Sequence, residues 1–190
     1  SSLSALRQLS VGLPVLAIKT DGDPTFLTTS VDQHLGASLV LDHLAELGHR
    51  DILHLSGPLD WLDARARERA FHARSREWRL RERPIVVGDW SAAYDYASAL
   101  KRRPDYTAIF AANDEMALGL IHGFCDRGIS VPGEISIVGF DDQPLAAHFL
   151  PPLTTVRQDF HQLGAKAVSA LISAVEGREV PKRSKLPVEL

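Results

Sequence analysis

The sequence predicts an α/β fold built of doubly wound parallel sheets. First, short apolar, β-branched runs alternate with longer segments of helical period, at roughly 25–30 residues per strand and helix. Second, glycines stand where two of the helical segments end, at Gly48 and Gly128. Third, the 190 residues are 45% apolar and 24% charged, the balance of an ordinary globular protein. Right-handed crossovers between parallel strands make the doubly wound arrangement the expected one.

The predicted strands and helices alternate along the first three quarters of the chain. Apolar runs predict five strands, at residues 14–18, 52–55, 85–87, 108–111 and 135–138. Helices are predicted between them: along an apolar stripe from Leu35 to Leu47, over 63–78, over 92–100, and from the N-cap Asn113 to Gly128.

The pattern changes after residue 138. A loop with three prolines is predicted over 141–152, followed by extended chain over 153–158. One long helix is predicted over 160–176 and ends at Gly177. Residues 186–190 are expected to form a last strand.

Composition and charge exclude several classes of protein. The single cysteine, Cys125, rules out a disulfide framework and favours a reducing, cytoplasmic compartment. The net charge of −3, from 21 Lys and Arg against 24 Asp and Glu, disfavours direct DNA binding by this chain. No run of 18 apolar residues occurs, and residues 1–12 lack the features of a signal peptide, so we expect no membrane partner.

One segment departs from this balance of charges. Residues 65–83 hold eight arginines against three glutamates. We interpret the segment as a solvated helix face with interleaved charges, and a nucleic-acid-binding patch is the alternative.

Polar and aromatic side chains follow four of the predicted strands. Trp61 and Arg67 come after the second strand, Trp90 after the third, Asn113 after the fourth and Asp141 after the fifth. Ligands of open parallel sheets bind at the carboxyl ends of the strands, so we expect these side chains to share one edge. Carboxylate, guanidinium and amide groups suit a polyhydroxylated ligand, and tryptophan stacks on an apolar sugar face. Structural roles stay open: a cap for Asn113, a turn for Asp141, the core for Trp90 and the surface for Arg67.

Signals for catalysis are weak. Asp141 and Asp142 could hold Mg²⁺ for phosphoryl transfer, but neither a phosphate-binding glycine loop nor a Gly-x-Ser-x-Gly elbow occurs. The eight histidines fit no metal-ligand spacing, and Cys125 is expected to pack beside Phe124. We therefore expect no enzymatic activity, no metal and no cofactor.

Five motifs make the sequence resemble a known family. They are LGHRDI at 47–52, SGPL at 56–59, ANDEMALG at 112–119, ISIVGFDD at 135–142 and PPLTTVRQ at 151–158. In this order they resemble the effector-binding core of the lactose-repressor (LacI/GalR) family of bacterial transcription regulators, from about Gly12 to Leu190.

The resemblance implies a fold like that of type I periplasmic sugar-binding proteins, in which two doubly wound lobes are joined by three crossings with the ligand between them. The C-terminal lobe is expected to comprise residues 32–158 and 187–190. The N-terminal lobe is expected to be incomplete, with residues 1–31 and 160–186, and residues 1–10 resemble the helix before its fourth strand. The family's DNA-binding helix-turn-helix is absent from this chain.

The resemblance also implies roles for individual residues. The family's effector-binding arginine, asparagine and aspartate fall on Arg67, Asn113 and Asp141. The remaining expected site residues are the aromatic wall Trp90 and Phe160, the crossing residue Gln158, Val31 at a position that is often aromatic, and Trp61, which we add from its place after a strand.

The helix over 113–127 is apolar on more than one face. Met116, Leu120 and Phe124 can pack into the core, whereas Leu118 and Ile121 are expected to lie outside it. Phe149 is expected in an adjacent loop. Members of the family that the chain resembles pair through this helix, so we expect a homodimer that uses Leu118, Ile121 and Phe149.

The resemblance implies the effector-sensing domain of a LacI-type transcriptional regulator. The expected effector is a mono- or disaccharide or a similar polyol, and a purine-like effector is the rival. Operator DNA would be bound only through the missing N-terminal domain. The alternative is a free sugar-binding protein of a transport system.

Overall fold

The computed structural model describes residues 13–18, 26–81, 83–91 and 93–190. The elements are, in chain order, β1 (Leu16–Ile18), β2 (Leu27–Val31), α1 (Gln33–Glu46), β3 (Ile52–Ser56), α2 (Leu62–Glu77), β4 (Val86–Val87), α3 (Tyr94–Ala99), β5 (Ala108–Ala111), α4 (Asp114–Asp126), β6 (Ser136–Asp141), β7 (Thr154–Arg157), α5 (Phe160–Val175) and β8 (Arg183–Leu186). One turn of 3₁₀ helix lies at Ala146–His148. The helix expected over residues 1–10 lies outside the described residues.

The chain divides into two compact units. The first comprises Ser1–Asp32 and Asp159–Pro187, and the second comprises Gln33–Gln158 and Val188–Leu190. All strand pairs within the two sheets are parallel. The predicted α/β fold of parallel sheets is thereby confirmed.

The first unit has a three-stranded sheet in the order β1-β2-β8, against which α5 packs. Asp159 is the N-cap of α5, and its side chain accepts a hydrogen bond from the backbone N–H of Gln162 at 2.7 Å. Leu163 and Ala167 are its buried positions.

Two features of this first unit differ from the sequence prediction. Strand β2 was not predicted, because three of its five residues are Thr28, Thr29 and Ser30, which are polar and nevertheless buried. The last strand is Arg183–Leu186, which pairs with β2, so the prediction of a strand at 186–190 is wrong. Pro187 has no backbone N–H and cannot extend the hydrogen-bond ladder, and beyond it the chain makes a single bridge between Glu189 and Arg157.

The second unit has a five-stranded sheet in the order β4-β3-β5-β6-β7. α1 packs against α2, and α3 packs against α4. The largest fully buried side chains include Phe110 of β5, Phe124 of α4 and Phe140 of β6. The helix-ending glycines have the positive φ that the sequence predicts, with +95° at Gly48 and +65° at Gly128.

Helix α4 carries two of the residues expected at a dimer interface. Leu118 is 43% exposed, as a partner-facing residue would be in a single chain. Ile121 is only 8% exposed and packs into the core, so the prediction that it is left over from the core is wrong. Its position follows from the helical period, because Ala117 and Phe124 lie four residues before and three after it and are also buried. Phe149 is half-buried against the same core.

No helix among the described residues combines the length and apolarity that crossing a bilayer requires.

Candidate functional site

The carboxyl edge of the five-stranded sheet collects most of the expected site residues. Arg67 lies in the second turn of α2, after β3, and Trp90 follows β4. Asn113 follows β5, Asp141 ends β6 and Gln158 follows β7. Because the strands are parallel, these five positions lie at the same edge of the sheet.

Arg67 is a buried residue, with 4% of its surface exposed. Its Nε donates to Oε1 of Gln33 at 2.7 Å, and its Nη1 donates to the carbonyl oxygen of Ala112. The guanidinium carbon lies 3.7 Å from the ring centroid of Phe140, a cation–π contact. The interpretation of Arg67 as a surface residue is therefore wrong.

Gln33 and Gln158 connect Arg67 to Asp141. Gln33 Nε2 donates to Oε1 of Gln158 at 2.9 Å, and Gln158 Nε2 donates to Oδ1 of Asp141 at 2.6 Å. Nη2 of Arg67 lies 3.7 Å from the same Oδ1, which closes the circuit. We call these four residues the edge circuit. Gln33 was not among the predicted site residues, and its only sequence signal is its place directly after an extended segment.

Burial dominates the electrostatics of the edge circuit. It raises the pKa of Asp141 to about 6, against the opposing effects of Arg67 and the hydrogen bond from Gln158. It lowers the pKa of Arg67 to about 10, against the opposing attraction of Asp141, so Arg67 is still charged at neutral pH. Both shifts favour the neutral forms, because the pair at 3.7 Å does not compensate for lost hydration.

Two site residues have strained backbone conformations. φ is +72° at Trp90 and +115° at Asp141, in a region that residues with a Cβ rarely adopt. Such strain persists only where the surrounding structure holds it, and it concentrates at functional sites.

An aromatic pair stands beside Arg67. The rings of Trp61 and Trp90 meet edge to face with centroids 5.9 Å apart, and the Arg67 guanidinium lies 5.8 Å from the Trp90 ring. A Cβ on Gly57 would fall 2.2 Å from the Trp90 ring, so only glycine at this position leaves room for the indole as it is placed. Trp61 is exposed and Trp90 is half-buried.

Two buried polar atoms at this edge make no hydrogen bond with the described residues. They are Nε1 of Trp90, a donor, and Oδ1 of Asp63, an acceptor one helical turn before Arg67. A buried polar atom without a partner costs free energy. A ligand that forms hydrogen bonds with these two atoms would therefore gain binding free energy. Asp63 was not among the predicted site residues.

The amide of Asn113 has two bonds within the protein. Its Oδ1 accepts from the backbone N–H of Met116 at 2.8 Å, which confirms the predicted N-cap of α4. Its Nδ2 donates to the carbonyl oxygen of Trp90 at 3.0 Å and so fixes the loop that carries the indole. The neighbouring Asp114 is fully buried and accepts from the Thr155 hydroxyl at 2.5 Å and the Gln143 N–H at 2.8 Å.

Two expected site residues belong to the first unit. Val31 is the buried last residue of β2, and Phe160 is the exposed first residue of α5. Among the described residues, no group of three or more His, Cys, Asp or Glu side chains is arranged to hold a metal ion.

Comparison with known proteins gives a consistent picture. A family model described as a periplasmic binding protein-like domain matches residues 41–190. The lactose operon repressor of Escherichia coli (strain K12) is 34% identical over 190 residues, which is 98% of this chain and 52% of that protein. The HTH-type transcriptional repressor PurR of Haemophilus influenzae (strain PittEE) is 32% identical over 185 residues, with 94% and 54% covered. The chain therefore spans about half the length of these curated relatives.

Solved structures agree with the sequence relatives. The lac repressor dimer bound to operator and the anti-inducer ONPF superposes with a TM-score of 0.91 and 32% identity, over 98% of this chain and 66% of that one. A periplasmic binding protein/LacI transcriptional regulator from Alkaliphilus metalliredigens QYMF, complexed with D-xylulofuranose, gives a TM-score of 0.78 and 26% identity, over 95% and 69%.

Proposed function

Because this chain belongs to the family of periplasmic binding protein-like domains and is homologous to the Lac and PurR repressors, we propose that it is the effector-sensing part of a transcriptional regulator. One observation carries the proposal. The edge circuit holds a buried guanidinium and a half-buried carboxylate that stand 3.7 Å apart, too far for a good hydrogen bond. Their pKa values both move toward the neutral forms, so the site has unmet capacity for polar ligand groups.

The effector we propose is a mono- or disaccharide or a similar polyol. Asp141 and Asp63 offer carboxylate oxygens to hydroxyl donors, and Nε1 of Trp90 offers a donor to a sugar oxygen. The Trp61 and Trp90 rings supply an apolar surface for the faces of a pyranose. A purine-like effector would need stacking on two faces, whereas these two rings meet edge to face at 77°.

Binding itself would do no chemistry, and the residues are assigned no catalytic role. The effector would favour one conformation of the domain over another, by as much as its affinities for the two differ. Operator DNA would be contacted by a segment outside this chain, and the protein would act in the cytoplasm. We propose a homodimer through Leu118 of α4 and the neighbouring Phe149.

A transport protein that binds sugar is the less favoured function, since the named relatives are repressors. The test is a gel-shift titration of the full-length protein on a duplex selected from random sequences. We expect one sugar of a panel to change the duplex affinity at least about tenfold in the wild type and not in Asp141→Ala, because the variant lacks one hydrogen-bonding partner. A full-length protein that binds no duplex, with or without sugar, would contradict the regulatory role.

A further inference from the structure

A cavity of about 310 Å³ lies at the far end of α2 from the edge circuit. Its lining includes three arginines, Arg76, Arg81 and Arg83, and the hydroxyl residue Ser75. Phe71 and Leu80, both buried, form its apolar part. None of the lining residues that the structure describes is acidic. We call it the arginine cavity.

The three arginines differ in how much of their hydrogen-bonding capacity is already used. Arg83 donates to Oδ1 of Asp51 at 3.1 and 3.0 Å and to Oδ1 of Asp105 at 2.9 Å, so it serves the protein itself. Arg81 is 60% exposed and lies 3.5 and 3.8 Å from these two carboxylates, too far for good hydrogen bonds. Arg76 is exposed and makes no ion pair with any described residue. Arg76 and Arg81 are therefore available to a ligand.

Ser75 points independently to a ligand. The residue is only 7% exposed, lines the cavity, and its hydroxyl has no hydrogen-bond partner among the described residues. A buried hydroxyl without a partner is costly, so its capacity to donate would be satisfied by an acceptor within the cavity.

We propose that the arginine cavity binds a phosphate group, carried by a small organic phosphomonoester. Arg76, Arg81 and Ser75 all line the cavity and supply hydrogen-bond donors, which suit the several acceptor oxygens of a phosphate group. Phe71 and Leu80 supply a surface for the apolar part of the ester. The volume is at the small end of the range for small-molecule pockets. The arginine-rich segment thus has a use beyond that of a solvated helix face.

The test is calorimetry of the full-length protein with two probes, inorganic phosphate and phenyl phosphate, at constant ionic strength. We expect saturable binding of both, tighter for phenyl phosphate because its ring meets the apolar wall. Arg76→Gln and Arg81→Gln should each weaken binding about tenfold, the loss expected for one charge-assisted hydrogen bond. Arg65→Gln, the same charge change three turns earlier on α2, should change it less than about twofold.

Ser75→Ala separates ligand binding from folding. The variant removes an unpaired hydroxyl, so we expect an unchanged or higher melting temperature together with phosphate binding that is weaker by about threefold or more.

Three results would overturn the proposal. One is equal weakening by Arg65→Gln and Arg76→Gln, which would reflect the net charge of the helix. Another is the absence of saturable binding by either probe. The third is binding of duplex DNA that depends on Arg76 while neither probe binds, which would assign the cavity to nucleic acid.

Discussion

The two edges of the five-stranded sheet each hold an arginine beside carboxylates, and the two clusters behave in opposite ways. At the carboxyl edge, burial lowers the pKa of Arg67 and raises that of Asp141. At the amino edge, hydrogen bonds from Arg83 lower the pKa of Asp105, and those bonds raise the pKa of Arg83. Hydration explains the difference, because Asp105 is 68% exposed whereas the edge circuit is largely buried.

We interpret the Arg83 cluster as structural and the Arg67 cluster as the ligand site. The contacts of Arg83 are at 2.8 to 3.1 Å and use both the carboxylates and the Asp105 carbonyl. Asp141 lies 3.7 Å from Arg67 and keeps a raised pKa despite that neighbour. Charged groups whose pairing is incomplete gain most from a ligand that brings hydroxyls.

The largest expected effect comes from removing each arginine in turn. Arg67→Met leaves the buried Gln33 and the half-buried Asp141 without their partner, so we expect a loss of about 3–5 kcal/mol in the free energy of unfolding. Arg83→Met exposes Asp51 and Asp105 to water, so we expect a loss of only about 1–2 kcal/mol. Urea unfolding of both variants measures the difference in stability. A larger loss of stability for Arg83→Met than for Arg67→Met would contradict the proposed difference between the two clusters.

Next in size is the acid sensitivity of His54, in the core between the two edges. Its ring stacks between Phe71 and Phe110 at 5.0 and 4.5 Å, and Nδ1 donates to the Phe110 carbonyl at 3.0 Å. Burial lowers its pKa from 6.5 to about 3. The unfolded chain therefore binds a proton that the folded one does not, and stability is lost as pH falls below 6.5, by about 2 kcal/mol at pH 5.

His54→Phe removes this proton linkage. We expect the variant to be slightly less stable than the wild type at pH 8, because the bond to the Phe110 carbonyl is lost, and to close most of that gap or reverse it by pH 5. The measurement is the free energy of unfolding at both pH values. A constant gap between wild type and variant would show that His54 does not titrate in this way.

Asp141 gives a linkage of the opposite sign. Its folded pKa of about 6 lies above the ordinary value of 3.8 for an aspartate, so its stabilising effect is fully present below about pH 4 and is lost as pH rises through 6. The difference in unfolding free energy between wild type and Asp141→Asn should therefore shift in favour of the wild type on acidification, by about 1–3 kcal/mol between pH 7 and pH 4. Asp105→Asn should shift the other way, since the pKa of Asp105 is lowered.

The smallest expected effect on stability comes from Gly57→Ala. The added Cβ would stand 2.2 Å from the far end of the Trp90 ring, so this half-buried side chain would have to shift. We expect a change below about 1 kcal/mol in unfolding free energy, yet a clear drop in affinity for any sugar that stacks on the indole. Urea unfolding measures the change in stability, and quenching of tryptophan fluorescence by the ligand measures the affinity. Full retention of sugar affinity would remove Trp90 from the site.

Much of the fold was predictable from the alternation of apolar runs and helical periods. The predicted helix over 63–78 corresponds to α2 at Leu62–Glu77, and the predicted cap Asn113 begins α4. Strand β2 was missed because buried Thr28 and Thr29 carry no apolar signal. The final strand was misplaced because Arg183 and Lys185 lie on exposed positions of an edge strand, so its sequence does not look buried.

The candidate site was only partly accessible to sequence reasoning. Parallel topology brings Arg67, Trp90 and Asp141 to one edge, as the strand order requires. Gln33 and Asp63 could not be predicted, because their roles depend on a hydrogen bond to one side chain and on burial of one oxygen atom. Residue type and spacing along the chain do not reveal such tertiary contacts.

The most direct test compares one carboxylate from each edge in the same assay. Calorimetry of the full-length protein with a panel of sugars is to be run on wild type, Asp141→Asn and Asp105→Asn. We expect a sugar bound by the wild type to lose about 10–150-fold in affinity with Asp141→Asn and less than about twofold with Asp105→Asn, because only Asp141 accepts ligand hydroxyls. A sugar that binds all three proteins equally well would contradict the assignment of the carboxyl edge as the effector site.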